Sequence, residues 1–269
     1  MLGTTSPAAP AVDTHAHVFR KDLPMAPGGL HTPSHDFELD EYEAILDAHG
    51  VRCAVIAAPS FLGTYNDYTL AAIRGRPRFK TTVILPPTTD PYILKVMDAD
   101  RATGVRLSLR GQKVLPDLTS YEWALFLRRL ADLDWHVHLH IEGQRLPAVL
   151  PTLQAAPVKL VIDHFGRPDP VLGAESEGFK ALLRAFETGR TWVKLSGGFR
   201  IACDPAPLAR KLLETGGPTR LVWGSDCPFT DFADKVSYRT VLDQYAAWVP
   251  REEDRAAIDA ASRRLYRFD

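Results

Sequence analysis

This sequence lacks long hydrophobic runs, has little cysteine and shows no excess of charge of either sign. No apolar run approaches the roughly 20 residues that a helix needs to cross a bilayer, so no contact with a membrane is expected. Lys and Arg together number 32, and Asp and Glu number 33. This balance gives no sign of the basic surface with which proteins bind nucleic acid. A small molecule is therefore the expected partner.

The three cysteines, Cys53, Cys203 and Cys227, are widely spaced and odd in number, which suits a reducing compartment. Residues 1–11 lack the basic start and the long apolar centre of a signal peptide, so they are expected to form a loose leader. Residues 12–269, which include enough apolar side chains for a large core, are expected to form one domain. The cysteine usage and the lack of a signal-peptide pattern together predict a cytoplasmic protein. Its oligomeric state stays open.

Strand-like and helix-like stretches alternate along the whole chain. Strands are predicted at 12–19, 51–58, 79–85, 104–109, 135–141, 158–163, 191–196 and 220–225. Helices are predicted at 38–49, 66–74, 91–101, 120–133, 146–154, 178–188, 205–215, 237–248 and 252–264. Apolar strands between helices are typical of a parallel sheet covered by helices. Eight such units predict a single (β/α)8 TIM barrel, and the lack of Gly-x-Gly-x-x-Gly after the first strand disfavours an open sheet.

The first predicted strand carries Asp13, His15 and His17 at a spacing of two residues. Because side chains alternate along a strand, these three are expected on one face. Two imidazoles on one face can bind a metal, polarise a carbonyl group or move protons. Taken alone, the pair is better explained as hydrogen-bonded histidines of the core, where paired polar groups are tolerated.

Polar residues also lie near or just beyond the ends of the later predicted strands, at the end of a barrel where active sites lie. They are Arg106, Arg110, His140, Glu142, Asp163, His164, Arg167, Ser196, Arg200, Ser225 and Asp226. Apolar fillers would be expected at these positions if they served stability alone. Their convergence predicts a catalytic mouth. His136 and His138 lie deeper in the fifth strand and are expected to form structural hydrogen bonds, and Cys227 is expected to be a small buried filler.

Five segments occur in a fixed order between Val12 and Phe268: residues 12–19 (VDTHAHVF), 104–106 (GVR), 162–169 (IDHFGRPD), 223–228 (WGSDCP) and 262–268 (SRRLYRF). Each is weak alone, but together they resemble the amidohydrolase superfamily, in its amidohydrolase 2 branch. Within that branch the sequence is similar to the 2-pyrone-4,6-dicarboxylate lactonases and to related sugar lactonases and muconolactone lactonases. The resemblance implies a barrel enzyme that opens lactone rings.

The resemblance also implies catalytic roles. Asp226 matches the aspartate that takes a proton from the attacking water. His15, His17 and His164 match histidines that either bind one divalent metal, such as Zn or Mn, or polarise the lactone carbonyl with no metal at all. If a metal is bound, Asp226 is expected to be its fourth ligand, and Glu142 is a further candidate. A requirement for one divalent metal and no cofactor requirement both stay open.

Seven residues are expected to contact the substrate: Arg106, Arg167, Arg200, His140, His31, Ser60 and Tyr65. The resemblance implies that the three arginines hold substrate carboxylates. His140 and His31 stand where the pyrone-dicarboxylate lactonases carry tyrosines, so the same substrate is not assumed. Ser60 and Tyr65, after the second strand, are expected either to line the pocket or to cap their loop.

Hydrolysis of a lactone requires a deprotonated water, an electrophile at the carbonyl group and anchors for the rest of the molecule. Several arginines in one mouth favour a substrate with carboxylates, which guanidinium groups bind in bidentate fashion. Arg110 could serve as such an anchor or form an ion pair at the rim. The predicted activity is hydrolysis of a small anionic lactone. A metal-dependent decarboxylase of the same superfamily, acting on a small aromatic or unsaturated acid, and a non-catalytic binder of an anionic metabolite stay open as alternatives.

Overall fold

A computed structural model describes residues 9–27, 29 and 31–268 of the chain. Eight parallel strands form one sheet in which the order of the strands follows the sequence, and β8 returns to β1. The strands are β1 (Val12–Ala16), β2 (Cys53–Ile56), β3 (Phe79–Val83), β4 (Ala102–Ser108), β5 (His136–His140), β6 (Lys159–Ile162), β7 (Thr191–Leu195) and β8 (Leu221–Trp223). This arrangement confirms the predicted (β/α)8 TIM barrel.

The described part of the chain contains nine α-helices, at least one after each strand. They are α1 (Leu39–His49), α2 (Asp67–Ile73), α3 (Pro91–Ala99), α4 (Tyr121–Asp132), α5 (Leu146–Ala155), α6 (Glu177–Glu187), α7 (Pro205–Gly216), α8 (Tyr238–Trp248) and α9 (Glu252–Tyr266). Side-chain caps begin several of them, as in α4, where Ser120 accepts a hydrogen bond from the backbone N–H of Trp123. None of the described helices has the length and apolarity needed to span a bilayer.

The register of the sheet decides which side chains share the interior of the barrel. Arg106 in β4 pairs with His138 in β5, and His138 pairs with Val161 in β6. Paired residues of parallel strands point to the same side of the sheet, so these residues form one interior row. Val161 belongs to a small apolar cluster that α9 completes with Leu265 and Tyr266. Polar side chains therefore lie in the barrel on top of an apolar base.

The first strand departs from the predicted alternation. The pairing of β1 with β2 shifts register just after Asp13. Asp13 accepts hydrogen bonds from the hydroxyl groups of Tyr42 in α1 (2.7 Å) and Tyr238 in α8 (2.9 Å), on the helix side of the sheet. The prediction that Asp13, His15 and His17 share one face is therefore wrong, because a bulge adds a residue and interrupts the period of two.

Only part of the predicted leader lies in the described residues, since residues 1–8 fall outside them. Ala11 is buried, and its backbone N–H donates to Oδ1 of Asp259 in α9 at 2.9 Å. The carbonyl of Ala11 accepts from the backbone N–H groups of Arg52 and Cys53. Residue 11 is thus tied to the barrel immediately before β1 begins.

Candidate active site

A cavity of about 320 Å³ opens at the carboxyl ends of the strands. Six of the seven residues predicted to contact substrate lie on its wall: His31, Ser60, Arg106, His140, Arg167 and Arg200. Tyr65 is not part of the wall, and 37% of its surface is exposed. Thr230, Asp231 and Phe232, from the loop after β8, also line the cavity. The sequence pattern gave no signal for these three, because they lie beyond the strand end.

Asp226 is the centre of the site. Its backbone N–H donates to the carbonyl of His15 at 2.7 Å, which joins the loop after β8 to β1, and its φ is 64°. Its Oδ2 accepts a hydrogen bond from Nε of Arg200. Its Oδ1 lies 3.5 Å from Nε2 of His15, 3.7 Å from Nε2 of His17 and 4.0 Å from Nε2 of His164. One carboxylate oxygen is therefore held, and the other faces three imidazoles.

The charge states of these groups follow from burial and from the neighbouring charges. Burial alone would raise the pKa of Asp226, but Arg200, His164 and His17 outweigh it and hold that pKa below its usual value. Burial lowers the pKa of His17 to about 3 and that of His164 to about 4. Burial and Lys194 lower the pKa of His15 well below its usual value. At neutral pH the carboxylate is ionised and the imidazoles are neutral.

Backbone and hydroxyl groups orient two of the histidines. Nδ1 of His17 lies 2.7 Å from the carbonyl of Ala57, and Nδ1 of His164 lies 2.8 Å from Oγ of Ser196. Gly197, with φ 58°, lies against the ring of His164, and a Cβ there would come within 2.6 Å of Nδ1. A side chain at position 197 would therefore push the ring away from Asp226.

A layer of charged residues lies beneath the histidines, and Lys194 is the member of it that the sequence pattern did not single out. Lys194 in β7 is fully buried, with Nζ 3.0 Å from the carbonyl of Thr14 and 3.1 Å from Nδ1 of His15. Burial lowers the pKa of Lys194 to about 8. The available signal was a single lysine between Val193 and Leu195, since a charged residue inside an apolar strand requires partners.

Asp163, which follows β6, is the anion of this layer. Its Oδ2 accepts from Nη2 of Arg106 at 3.2 Å, and its Oδ1 is hydrogen-bonded to Nε2 of His138. Lys194 lies 3.5 Å from the same Oδ1. Burial would raise the pKa of Asp163, but His138, His15 and Lys194 outweigh it and lower that pKa well below its usual value. Asp163 is therefore a buried, compensated carboxylate.

The remaining expectations had mixed outcomes. His138 forms the expected structural hydrogen bond, but neither ring nitrogen of His136 has a partner among the described residues. Cys227 is buried, as expected of a filler.

Glu142 accepts from the backbone N–H of Gly111 at 2.8 Å and from Arg145 at 3.3 Å, outside the histidine cluster. Its expected part as a metal ligand is wrong for this arrangement, since the turn after β5 directs it to the outer rim.

Four arginines line the cavity, and two of them already hold carboxylates. Arg106 is paired with Asp163, and Arg200 with Asp226. Neither Arg110 nor Arg167 forms an ion pair with any residue in the described part of the chain, and Nη2 of Arg167 reaches only the carbonyl of Arg200, at 3.5 Å. Burial and the nearby charge of Arg110 lower the pKa of Arg167 to about 10, so it stays a cation at neutral pH. The cavity therefore has positive charge available for an anion.

Two sets of side chains in the described residues could hold a metal ion. His15, His164 and Asp226 present ligand atoms within 4.8 Å of one another, and so do His15, His138 and Asp163. The first set has the nitrogen and oxygen donors that zinc binds, and it contains three of the four predicted ligands, without His17. The second set contains the Lys194 ammonium group next to His15 and Asp163, so a cation is already present there.

Comparisons with known proteins identify the family of this chain. The family model described as Amidohydrolase matches residues 12–268. The 4-sulfomuconolactone hydrolase of Hydrogenophaga intermedia is 31% identical over 82% of this chain and 76% of its own. The 2-pyrone-4,6-dicarboxylate hydrolase of Comamonas testosteroni is 30% identical over 85% of this chain and 80% of its own. A solved structure from Acinetobacter baumannii, described as a probable 2-pyrone-4,6-dicarboxylic acid hydrolase with citric acid bound, has a TM-score of 0.88 and 30% identity and covers 95% of this chain and 98% of its own. The chain belongs to the amidohydrolase family.

Proposed function

We propose that the protein hydrolyses a small lactone that carries acidic groups, with Asp226 as the general base. The observation that supports this proposal is that the two oxygens of the Asp226 carboxylate have different surroundings. Arg200 holds Oδ2, and Oδ1 faces Nε2 of His15, His17 and His164 at the edge of the cavity. A water beside Oδ1 would lie between a base and a set of polarising groups.

The chemical steps follow from this arrangement. Oδ1 of Asp226 takes a proton from water as the oxygen attacks the lactone carbonyl carbon. His164, which lines the cavity, stabilises the developing oxyanion where its Nε2 carries the hydrogen of the ring. When the C–O bond of the ring breaks, the proton on Asp226 passes to the departing ring oxygen. The product is a hydroxy acid, or its enol or keto form, with one more carboxylate than the substrate.

The low pKa of Asp226 keeps it ionised but makes it a weak base towards water. General-base assistance of this kind contributes about 10²–10⁴-fold to a rate. The rest of the acceleration must come from charge stabilisation and positioning. The arginines around the cavity supply the positive field that both of these require.

Arg110 and Arg167 are the proposed anchors for the acidic groups of the substrate. They line the cavity without carboxylate partners among the described residues, whereas the charges of Arg106 and Arg200 are already compensated. A cavity of about 320 Å³ is at the small end of ligand sites. A compact ring with one or two acidic substituents fits this size and charge. The relatives that are named for a sulfonated lactone and for a dicarboxylated pyrone support the same substrate class.

His15, His164 and Asp226 are the residues that would hold a divalent metal, since their donor atoms have the right type and lie close together. Such an ion would acidify the attacking water. The roles of Arg110 and Arg167 are the same with or without it.

A panel of lactones tests the proposal. Muconolactones with a carboxylate or a sulfonate, a pyrone dicarboxylate and an uncharged analogue of each ring would be compared at equal concentration. Acid release in a pH-stat and loss of the lactone absorbance measure hydrolysis, and trapped CO2 measures decarboxylation. We expect hydrolysis of the charged lactones, with kcat/KM at least about 100-fold above the uncharged analogues, because hydrogen bonds to charged groups contribute about 1.5–3 kcal/mol each. Release of CO2 without ring opening would favour the decarboxylase, and binding without turnover would favour the non-catalytic alternative.

A further inference from the structure

We propose that Lys194 is a positioning residue that holds His15 in the tautomer with its hydrogen on Nε2 and thereby weakens metal binding at the site. This inference deepens the proposed function and rests on it only for the importance given to His15. The hydrogen-bond geometry that supports it is independent of any substrate. Lys194 is fully buried and does not reach the cavity, so it acts through His15 rather than on a ligand.

Lys194 fixes one end of a row of hydrogen bonds. Its Nζ lies 3.0 Å from the carbonyl of Thr14 and 3.1 Å from Nδ1 of His15. An ammonium group has three hydrogens and no lone pair, so Nδ1 of His15 must be the acceptor in this contact. A neutral imidazole that accepts at Nδ1 carries its only hydrogen on Nε2.

Ala57 fixes the other end of the row. A carbonyl oxygen can only accept, so Nδ1 of His17, at 2.7 Å from Ala57, is the donor, and Nε2 of His17 has a lone pair. The Nε2 atoms of His15 and His17 lie 3.2 Å apart. One of them brings a hydrogen and the other a lone pair, so they form a hydrogen bond. The donor-only ammonium and the acceptor-only carbonyl thus impose one direction, from Lys194 through His15 and His17 to Ala57.

Asp163 competes with Lys194 for the same nitrogen. Its Oδ1 lies 3.3 Å from Nδ1 of His15 and could accept a hydrogen there. In that tautomer the Nε2 atoms of His15 and His17 would turn two lone pairs towards each other, an arrangement that a cation stabilises. A carboxylate behind the distal nitrogen of a histidine is also the usual support of a metal ligand. The choice between Lys194 and Asp163 therefore decides whether Nε2 of His15 offers an N–H group or a lone pair.

The other contacts favour Lys194. Asp163 already accepts from Arg106 and from His138, so its charge is compensated without a hydrogen from His15. Nζ of Lys194 also lies 2.6 Å from Nε2 of His138 and 3.5 Å from Oδ1 of Asp163. Because Nε2 of His138 gives its hydrogen to Asp163 and has no lone pair left, the third hydrogen of Lys194 goes to Oδ1 of Asp163, and this does not change the direction of the bond to His15.

The tautomer of His15 can be measured directly. Protein labelled with ¹⁵N-histidine would be stripped of metal with a chelator, and long-range ¹H–¹⁵N correlation spectra recorded at pH 7.5. The His15 signals are assigned by their loss in His15→Gln. We expect the hydrogen on Nε2. A hydrogen on Nδ1 of the metal-free wild-type protein would overturn the proposal, with no variant of Lys194 needed.

Lys194→Met gives a second measurement. Without the ammonium group, the hydrogen of His15 is expected to move to Nδ1, where Asp163 accepts it, and the zinc affinity measured against a competing chelator is expected to rise at least about tenfold. Arg110→Met is the matched control, because it removes a positive charge from the cavity without altering a hydrogen bond to His15. The control should leave the tautomer unchanged and give a smaller gain in affinity. If folded Lys194→Met kept both the His15 tautomer and the zinc affinity of the wild-type protein, the proposal would be contradicted. Neither measurement involves turnover, so a failure of the lactonase assignment would be recognised separately.

Discussion

Nε of Arg200 donates to Oδ2 of Asp226, and this bond determines which oxygen of the carboxylate is available for chemistry. Arg200 also donates to the carbonyl of Thr230 at 3.0 Å and lies over the rings of Phe199 and Phe232. The guanidinium group is therefore held on several sides. We therefore propose that Arg200 orients and ionises Asp226 more than it anchors the substrate.

Arg110 and Arg167, the two cavity arginines that have no carboxylate partner among the described residues, should control substrate affinity. We expect Arg167→Met and Arg110→Met each to raise KM for an acid-bearing lactone by about 10–100-fold, since a hydrogen bond to a charged group contributes about 1.5–3 kcal/mol. The change in kcat should be smaller. Steady-state kinetics measure both constants, and Arg128→Met, which alters an exposed arginine of α4, is the control. An equal rise in KM for an uncharged lactone would show that the charge of the substrate is not what these arginines recognise.

Arg106 is expected to behave differently, because its partner is a buried carboxylate. Arg106→Met leaves Asp163 without the charge that faces Oδ2, and removal of one partner of a buried ion pair costs about 3–5 kcal/mol. The free energy of unfolding in urea should fall by about this amount. The double variant Arg106→Met, Asp163→Asn removes both charges and should recover part of the loss. No loss of stability in the single variant would contradict the pairing.

The pH profile of activity should lack a limb near pH 6.5. The pKa of Asp226 is lowered, and the pKa values of His17 and His164 are about 3 and about 4. The base is therefore ionised and the imidazoles neutral at every pH above about 5. We expect kcat/KM to be flat between pH 5 and pH 7 at 25 °C, below the pKa of about 8 of Lys194. A loss of activity that titrates near pH 6.5 would show that a protonated histidine, or a histidine base, takes part.

The buried histidines His17, His138 and His164 make the stability of the fold depend on pH below about 6.5. Their pKa values are lower in the folded protein than the ordinary 6.5, so the unfolded chain binds more protons as the pH falls below 6.5. Their contribution is present above pH 6.5 and is lost as the pH falls towards 4, with a slope of up to about 1.4 kcal/mol per pH unit for each histidine. Urea unfolding at pH 7.5, 6.5, 5.5 and 4.5 measures this slope.

His136→Leu is the control for that slope. The pKa of His136 is lowered mainly by burial, and its ring nitrogens have no partner among the described residues. The substitution should therefore lower the slope of the unfolding free energy with pH by up to the contribution of one proton, about 1.4 kcal/mol per pH unit, without breaking a hydrogen bond. A free energy of unfolding that does not change between pH 7.5 and pH 4.5 in the wild-type protein would contradict the assigned charge states.

The barrel and the position of its mouth could be predicted from the sequence, because both follow from local patterns. Apolar strands alternate with helices, and His164 and Asp226 come directly after apolar strands. Parallel strands bring these ends to one rim, whatever the details of packing. The loop residues Thr230 and Asp231 could not be placed this way, because a loop has no periodicity.

The partners of the charged residues could not be predicted either. Which arginine meets Asp163 and which meets Asp226 depends on the registers of β4 and β7 and on loop paths. The outward turn of Asp13 results from a bulge, which a pattern of alternating residues does not reveal. The burial of Lys194 depends on the register of β7 with β8, which sets it beside Val222 inside the barrel.

The role of Asp226 as the base is the central claim, and Asp226→Asn tests it most directly. The amide oxygen can still accept a hydrogen bond from Arg200, while the base is lost and the cavity becomes more positive. We predict that kcat falls by about 10²–10⁴-fold and that an anionic substrate or product binds as tightly as before, or more tightly, in a calorimetric titration. A kcat within tenfold of the wild-type value would contradict the assignment.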